Sequence, residues 1–174
     1  MKTISHYILL IAFSAIPCLG CWMAPPEFVV IEGSSKEYFI RKDNPNKKME
    51  VRLASDLSES WSATIPSYDS LFSIIRLSES GDRIVHIVGD HQIWRIDQTC
   101  IQIIKQDGNV IEYSLNEFID DLEDIKTDQM MSTSPKYHWF RDVNFVTDER
   151  VGFTLSDGRN AVISMIEKKV ISIK

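Results

Sequence analysis

Residues 73–97 read S-I-I-R-L-S-E-S-G-D-R-I-V-H-I-V-G-D-H-Q-I-W-R-I-D, and their pattern decides the fold class. Ile75 and Leu77 alternate with Arg76 and Ser78, so one face of a strand is apolar and the other wet. Glu79-Ser80-Gly81-Asp82 follows as a turn, because Gly81 takes a positive φ without steric cost and Ser80 and Asp82 bond their own backbone. Arg83 to Val88 is a run of β-branched residues interrupted by His86, as suits a strand covered on both faces. Gly89-Asp90 turns the chain again, and Ile93-Trp94-Arg95-Ile96-Asp97 resumes the alternation. Three short antiparallel strands are therefore expected here.

A related pattern returns near the C-terminus, where residues 143–167 read V-N-F-V-T-D-E-R-V-G-F-T-L-S-D-G-R-N-A-V-I-S-M-I-E. Ile75 to Ser78 matches Val143 to Val146, Arg83 to Ile87 matches Arg150 to Thr154, and Ile93 to Ile96 matches Ala161 to Ser164. Strand, acidic turn, strand, turn, strand is the rhythm of a propeller blade or of stacked meanders. The offset of about 68 residues exceeds the roughly 40 to 50 of propeller repeats, and two copies are too few to close a ring. The expected fold is mainly β, with antiparallel meanders resembling propeller blades or a sandwich and one short amphipathic helix at about residues 115–125.

The rest of the chain supports strands at Phe28 to Ile31, Lys36 to Arg41 and Met49 to Leu53, and Trp61, Ala63 and Ile65 share one face. Asp107-Gly108 lies between two apolar runs and predicts a type I′ hairpin, a device repeated at Asp157-Gly158. Ser114 and Glu117 have capping-box spacing, and Leu115, Phe118, Ile119, Leu122 and Ile125 recur at helical spacing. Asp120, Asp121, Glu123 and Asp124 fall on the other side of that helix and read as a solvated face, since the run lacks the Ca²⁺-loop spacing. Lys126 to Ser134 has no periodicity and reads as a surface loop.

The 174-residue chain carries 44% hydrophobic residues, enough for a real core, and a formal net charge of −6. An acidic chain without a basic stripe is a poor partner for nucleic acid, whose phosphates need clustered Lys and Arg. Lys2 followed by the apolar run Tyr7 to Ile16 reads as a signal peptide, too short to span a bilayer comfortably. The domain reading is thus a signal peptide over 1–20 and a single mostly-β domain over 21–174. Cys21 after Gly20 resembles the lipid-bearing cysteine of a bacterial lipoprotein, so the mature chain is expected to be periplasmic or anchored to the membrane through a lipid on Cys21. Lipidation of Cys21 and ordinary cleavage nearby both stay open, with an uncleaved anchor from Tyr7 to Ala24 as a lesser alternative. With Cys18 removed, Cys21 and Cys100 make no disulfide framework, and Cys100 reads as a small buried apolar group.

Residues with chemistry are few. No nucleophile elbow, phosphate-cradling glycine loop or Cys-x-x-Cys pair occurs. His86 and His91 flank a predicted turn with no third ligand beside them, so neither a metal site nor a cofactor is expected. Pro135-Lys-Tyr-His-Trp-Phe-Arg gathers aromatics, and Tyr137, His138, Trp139 and Arg141 are candidates for a binding platform or, more plainly, for the edge of the core.

Glu32 to Phe39, Trp61, Leu77 to Arg83, Val110 to Phe118, Ser132 to Trp139 and Thr154 to Gly158 together resemble a group of small exported bacterial proteins of unknown function. The likeness covers most of the mature chain and consists of a strand, Asp-Gly turn, strand rhythm, a short helix start and a Ser-x-Ser…Trp segment. It implies export and a β fold, and it implies no activity. The functional expectation is an exported, non-enzymatic β-domain that binds an envelope macromolecule or serves a structural role; the alternative is a hydrolase of an envelope polymer with His138 as base.

Overall fold

The computed structural model describes residues 28–33, 35–65, 73–88, 93, 95–131 and 134–174. Among these residues the strands form three four-stranded antiparallel meanders and one hairpin. The first sheet holds β1 (Phe28–Glu32), β2 (Tyr38–Asp43), β3 (Lys48–Leu53) and β4 (Glu59–Thr64). The second holds β5 (Ile74–Leu77), β6 (Arg83–Ile87), β7 (Thr99–Lys105) and β8 (Val110–Ser114). A hairpin of β9 (Lys126–Met131) and β10 (Ser134–Tyr137) precedes the third sheet, β11 (Phe140–Val146), β12 (Arg150–Leu155), β13 (Asn160–Ser164) and β14 (Val170–Ile173). Within each sheet strand order follows chain order, which is the topology of a propeller blade.

The second sheet is the middle layer, and the period-two alternation of its strands explains how it serves two cores. Ile75, Leu77, Ile84 and Ile104 pack with Ile40, Met49, Val51 and Trp61 of the first sheet. Val85, Ile87, Ile101 and Ile103 point the other way and pack with Val151, Phe153 and Ile163 of the third. The β-branched run of β6 is thus buried on both faces, as its sequence predicts. Each such side chain contributes roughly 1.5 to 3 kcal/mol by leaving water.

The turn between β5 and β6 ties the layers together. Gly81 adopts φ +76°, and its carbonyl accepts the indole N–H of Trp61 at 2.7 Å. A Cβ on Gly81 would stand 2.6 Å from Cγ of the Tyr38 ring, so the first sheet closes on this glycine. On the other side, the Ser80 amide donates to Oδ1 of Asp148 at 2.7 Å and the Arg83 guanidinium donates to the Asp148 carbonyl at 2.9 Å. Asp148 belongs to the β11–β12 turn of the third sheet, 68 residues beyond Ser80, so the turns paired by the sequence repeat touch in space. A second tie runs from Tyr113 of β8, whose hydroxyl accepts the Lys169 amide at 2.9 Å and lies 2.9 Å from the Ser164 carbonyl.

Four expectations need correction. The helix at about 115–125 is replaced by two 3-10 turns, Leu115–Glu117 and Leu122–Ile125. The Leu115 and Asn116 amides, which no helix would use, dock on the carbonyls of Gln98 and Ile96, while Asp121 takes the Glu123 amide that a helix would bond to the Ile119 carbonyl. The apolar stripe is still buried at Leu115, Phe118, Ile119 and Ile125. Ile93 to Asp97 supplies no strand among its described residues; the third strand of the meander is β7, six residues later than Ile93 at its start. Lys126–Met131 is a strand rather than a loop, because ladder bonds come from main-chain groups that every such residue carries. The Asp-Gly hairpins are not type I′, since only Gly108 (φ +87°) and Gly158 (φ +92°) take positive φ there. In each, the glycine amide bonds back three residues, to Lys105 or Leu155 at 3.0 Å, giving a type I turn with a glycine bulge.

Gly81→Ala is expected to lower the unfolding free energy by more than about 2 kcal/mol, from the left-handed backbone plus displacement of Tyr38. Gly108→Ala, with nothing within 4 Å of the added carbon, should cost only the backbone part, about 1 kcal/mol. Urea unfolding of the two variants measures the difference.

Candidate functional site

The two end faces of the stack are polar. On the first sheet, Glu50 of β3 sits among Arg52 at 2.7 Å, Lys48 at 3.2 Å and Arg41 at 3.3 Å. Lys48 reaches on to Glu59 at 3.1 Å. The hydrogen bond from Arg52, followed by that from Lys48, holds the Glu50 carboxyl below the ordinary carboxylate range, against the opposing effect of its burial. A groove of about 680 Å³ runs between β4 and the β7–β8 hairpin, lined by Ser62, Thr64, Gln102, Ile104 and Lys105 among others. Its Gln102 amide donates to Glu112 at 2.6 Å.

The outer face of the third sheet is different in kind, and β11 makes it so. This edge strand keeps Val143 opposite Phe153, on the core side, and Phe145 opposite Gly152, with a register shift between them. The extra residue of that bulge is Asn144. A β-bulge re-aims side chains by breaking strict alternation, and here it lets two adjacent residues, Asn144 and Phe145, both serve the solvent side. Phe145 is 43% exposed. Its ring lies over Gly152, where a Cβ would come within 2.2 Å of Cε1. Asn144 joins Thr154 and Asn160: the Thr154 hydroxyl lies 3.1 Å from Asn144 Oδ1 and 3.0 Å from Asn160 Oδ1, and the Asn144 amide donates to Asn160 Oδ1 at 3.2 Å. Asp142 stands opposite Thr154 on the same row. The arrangement sets an exposed ring beside amide and hydroxyl groups that can both donate and accept, with the Asp142 carboxylate on the same row.

The residues singled out from the sequence are dispersed. Trp139 is fully buried, its indole N–H donates to the Val88 carbonyl at 3.2 Å, and its ring packs against Phe118, Phe140 and Phe153. His138 is half-buried and its amide donates to the Ile125 carbonyl at 2.9 Å. Arg141 is exposed, and Tyr137 ends β10 opposite Lys126. Trp139 therefore serves the core edge, and no common surface unites it with Arg141. His86 is buried on β6 between Ile75 and Gln102, and the Cys100 thiol is sealed in the core, where burial pushes its pKa well up. Cys21 and His91 lie outside the described residues. Asn144, Phe145, Thr154 and Asn160 carry no sequence signal beyond a polar and an aromatic residue adjacent in a predicted strand.

No protein-family model matches the chain, and no curated protein matches it. Among solved structures it is similar to the Cps50 (Swd1) β-propeller domain of Myceliophteria thermophila, at 11% identity and a TM-score of 0.44. The likeness covers 85% of this chain and 41% of that one.

Glu50→Gln is expected to destabilise the protein at pH 7 by roughly 1 to 3 kcal/mol, leaving three cations without their shared anion. Because the folded-state carboxyl titrates below its unfolded value near about 4.3, the wild-type advantage is full above that pH and fades as pH falls through the folded value. Thermal unfolding of both proteins across pH 3 to 7 would show the curves converging on the acid side.

Proposed function

We propose that this chain is an exported, non-enzymatic β-domain that binds a macromolecule of the cell envelope through the outer face of its third sheet. The observation that carries the binding reading is the β11 bulge, which holds Phe145 on the solvent side beside Asn144, Thr154 and Asn160. An aromatic ring left 43% exposed forgoes hydrophobic stabilisation, and a bulge sacrifices regular ladder pairing. A surface that accepts both is better explained by a partner than by the core, which Val143 already serves.

Two of the reactive side chains fit this reading. His86 and Cys100 are enclosed in the interior, out of reach of a polymer, and the described carboxylates with shifted titration are held by turn amides or ion pairs. Export is supported by the leader-like residues 1–20, and Cys21 gives either a lipid anchor or a residue next to an ordinary cleavage point. The acidic balance of the chain disfavours nucleic acid as the partner.

Two measurements test this. Mass spectrometry of the protein recovered from cells should find the leader removed and, in the anchored form, a diacylglyceryl adduct on Cys21; Cys21→Ser would then shift the protein from the membrane to the soluble envelope fraction. Purified protein should also co-sediment with isolated envelope material. An intact leader in the cytosol, or failure to co-sediment, would overturn the proposal.

A further inference from the structure

Resting on the binding reading above, we infer that the partner is an uncharged polysaccharide, one of whose sugar rings stacks on Phe145 while its hydroxyls bond Asn144, Thr154 and Asn160. The face of an aromatic ring is electron-rich and attracts the polarised C–H face of a pyranose. Phe145 is spread across Gly152 with its outward side open, which is the geometry such stacking needs.

The neighbouring polar groups match hydroxyl chemistry. Sugar hydroxyls both donate and accept, and so do amides and the threonine hydroxyl. The Thr154 proton can serve only one of its two acceptors at a time, and among the described residues the Asn160 side chain accepts through Oδ1 while its Nδ2 protons find no acceptor. Rows two residues apart on a strand are separated by about 7 Å. Phe145 opposite Gly152 and Asn160 opposite Thr154 occupy adjacent rows, so one sugar unit can meet ring and amides together.

Other partners fit less well. A polyanion would meet Asp142 on the same row, in a chain of net charge −6. A protein interface of ordinary size buries about 800 Å² on each partner around an apolar centre, and on the row of Phe145 this face adds only the half-exposed Val162 beside Gly152. A phenylalanine over a strand glycine also shields the backbone, so fold stability must be followed beside binding.

The test titrates the purified protein with cellohexaose, maltohexaose and the hexamer of N-acetylglucosamine, with hexagalacturonate as the anionic control, following backbone amide shifts and calorimetric affinity. At least one neutral hexamer should shift the amides of Asn144, Phe145, Thr154 and Asn160, and hexagalacturonate should not. Phe145→Ala should weaken that affinity at least tenfold, Thr154→Val several-fold, and Phe145→Trp should restore it, each with unfolding midpoints measured alongside. Gly152→Ala, which displaces the ring without removing it, should weaken binding as well. Absence of binding by all three neutral hexamers, or affinity unchanged in folded Phe145→Ala, would overturn the inference. If wild type and Phe145→Ala co-sediment equally with envelope material and the hexamers do not compete, the polysaccharide assignment fails while the broader binding role survives.

Discussion

The indole N–H of Trp61 bonded to the Gly81 carbonyl, with the Tyr38 ring closed over the same glycine, fixes how the first sheet meets the second. Ser80 and Arg83 of that same turn engage Asp148, which fixes how the second meets the third. Hydrophobic burial between sheets is strong but undirected, and flat layers of Ile and Val can slide over one another. Directional bonds to a single turn remove that freedom. The polar ties therefore set the register of a stack whose stability comes from Ile, Val and aromatic side chains between its layers.

Much of this architecture was legible in residues 73–97 and 143–167. Arg83 to Val88, apolar on both sides of His86, announced a strand with two covered faces, and β6 faces two cores. Glycines after acidic or serine residues marked turns, and the structure uses them so. What escaped were contacts that no local window contains. Ser114 and Glu117 promised a helix, yet its first turn is docked on Gln98 and Ile96 and the Asp121 side chain takes the Glu123 amide that would have continued it. Lys126–Met131 lacked apolar alternation, and strand pairing there needs only main-chain groups. The type I′ reading of Asp107-Gly108 failed by one residue, because aspartate keeps the ordinary right-handed backbone and leaves the positive φ to glycine.

The candidate site was harder to read, for a physical reason. Aromatic-rich Tyr137 to Arg141 drew attention by composition, but composition does not say which side of a strand is wet. Trp139 went to the core. Phe145 looked like one more apolar residue in an alternating strand, and only the bulge at Asn144 reverses its direction. A one-residue insertion in pairing register has no signature in hydrophobic periodicity, yet it changes what the surface displays.

Among the described residues the two cores are unequal. The layer between the first and second sheets buries a short set of side chains around Trp61, whereas the opposite layer adds Tyr113, Phe118, Trp139 and Phe153 to its aliphatic residues. Sub-global opening is expected to follow the weaker seam, so β1 to β4 should detach first as a cooperative unit, with a smaller free energy of amide exchange than in β7 or β12. The bulged strand, rooted in the larger core, keeps its shape while the far end of the molecule breathes.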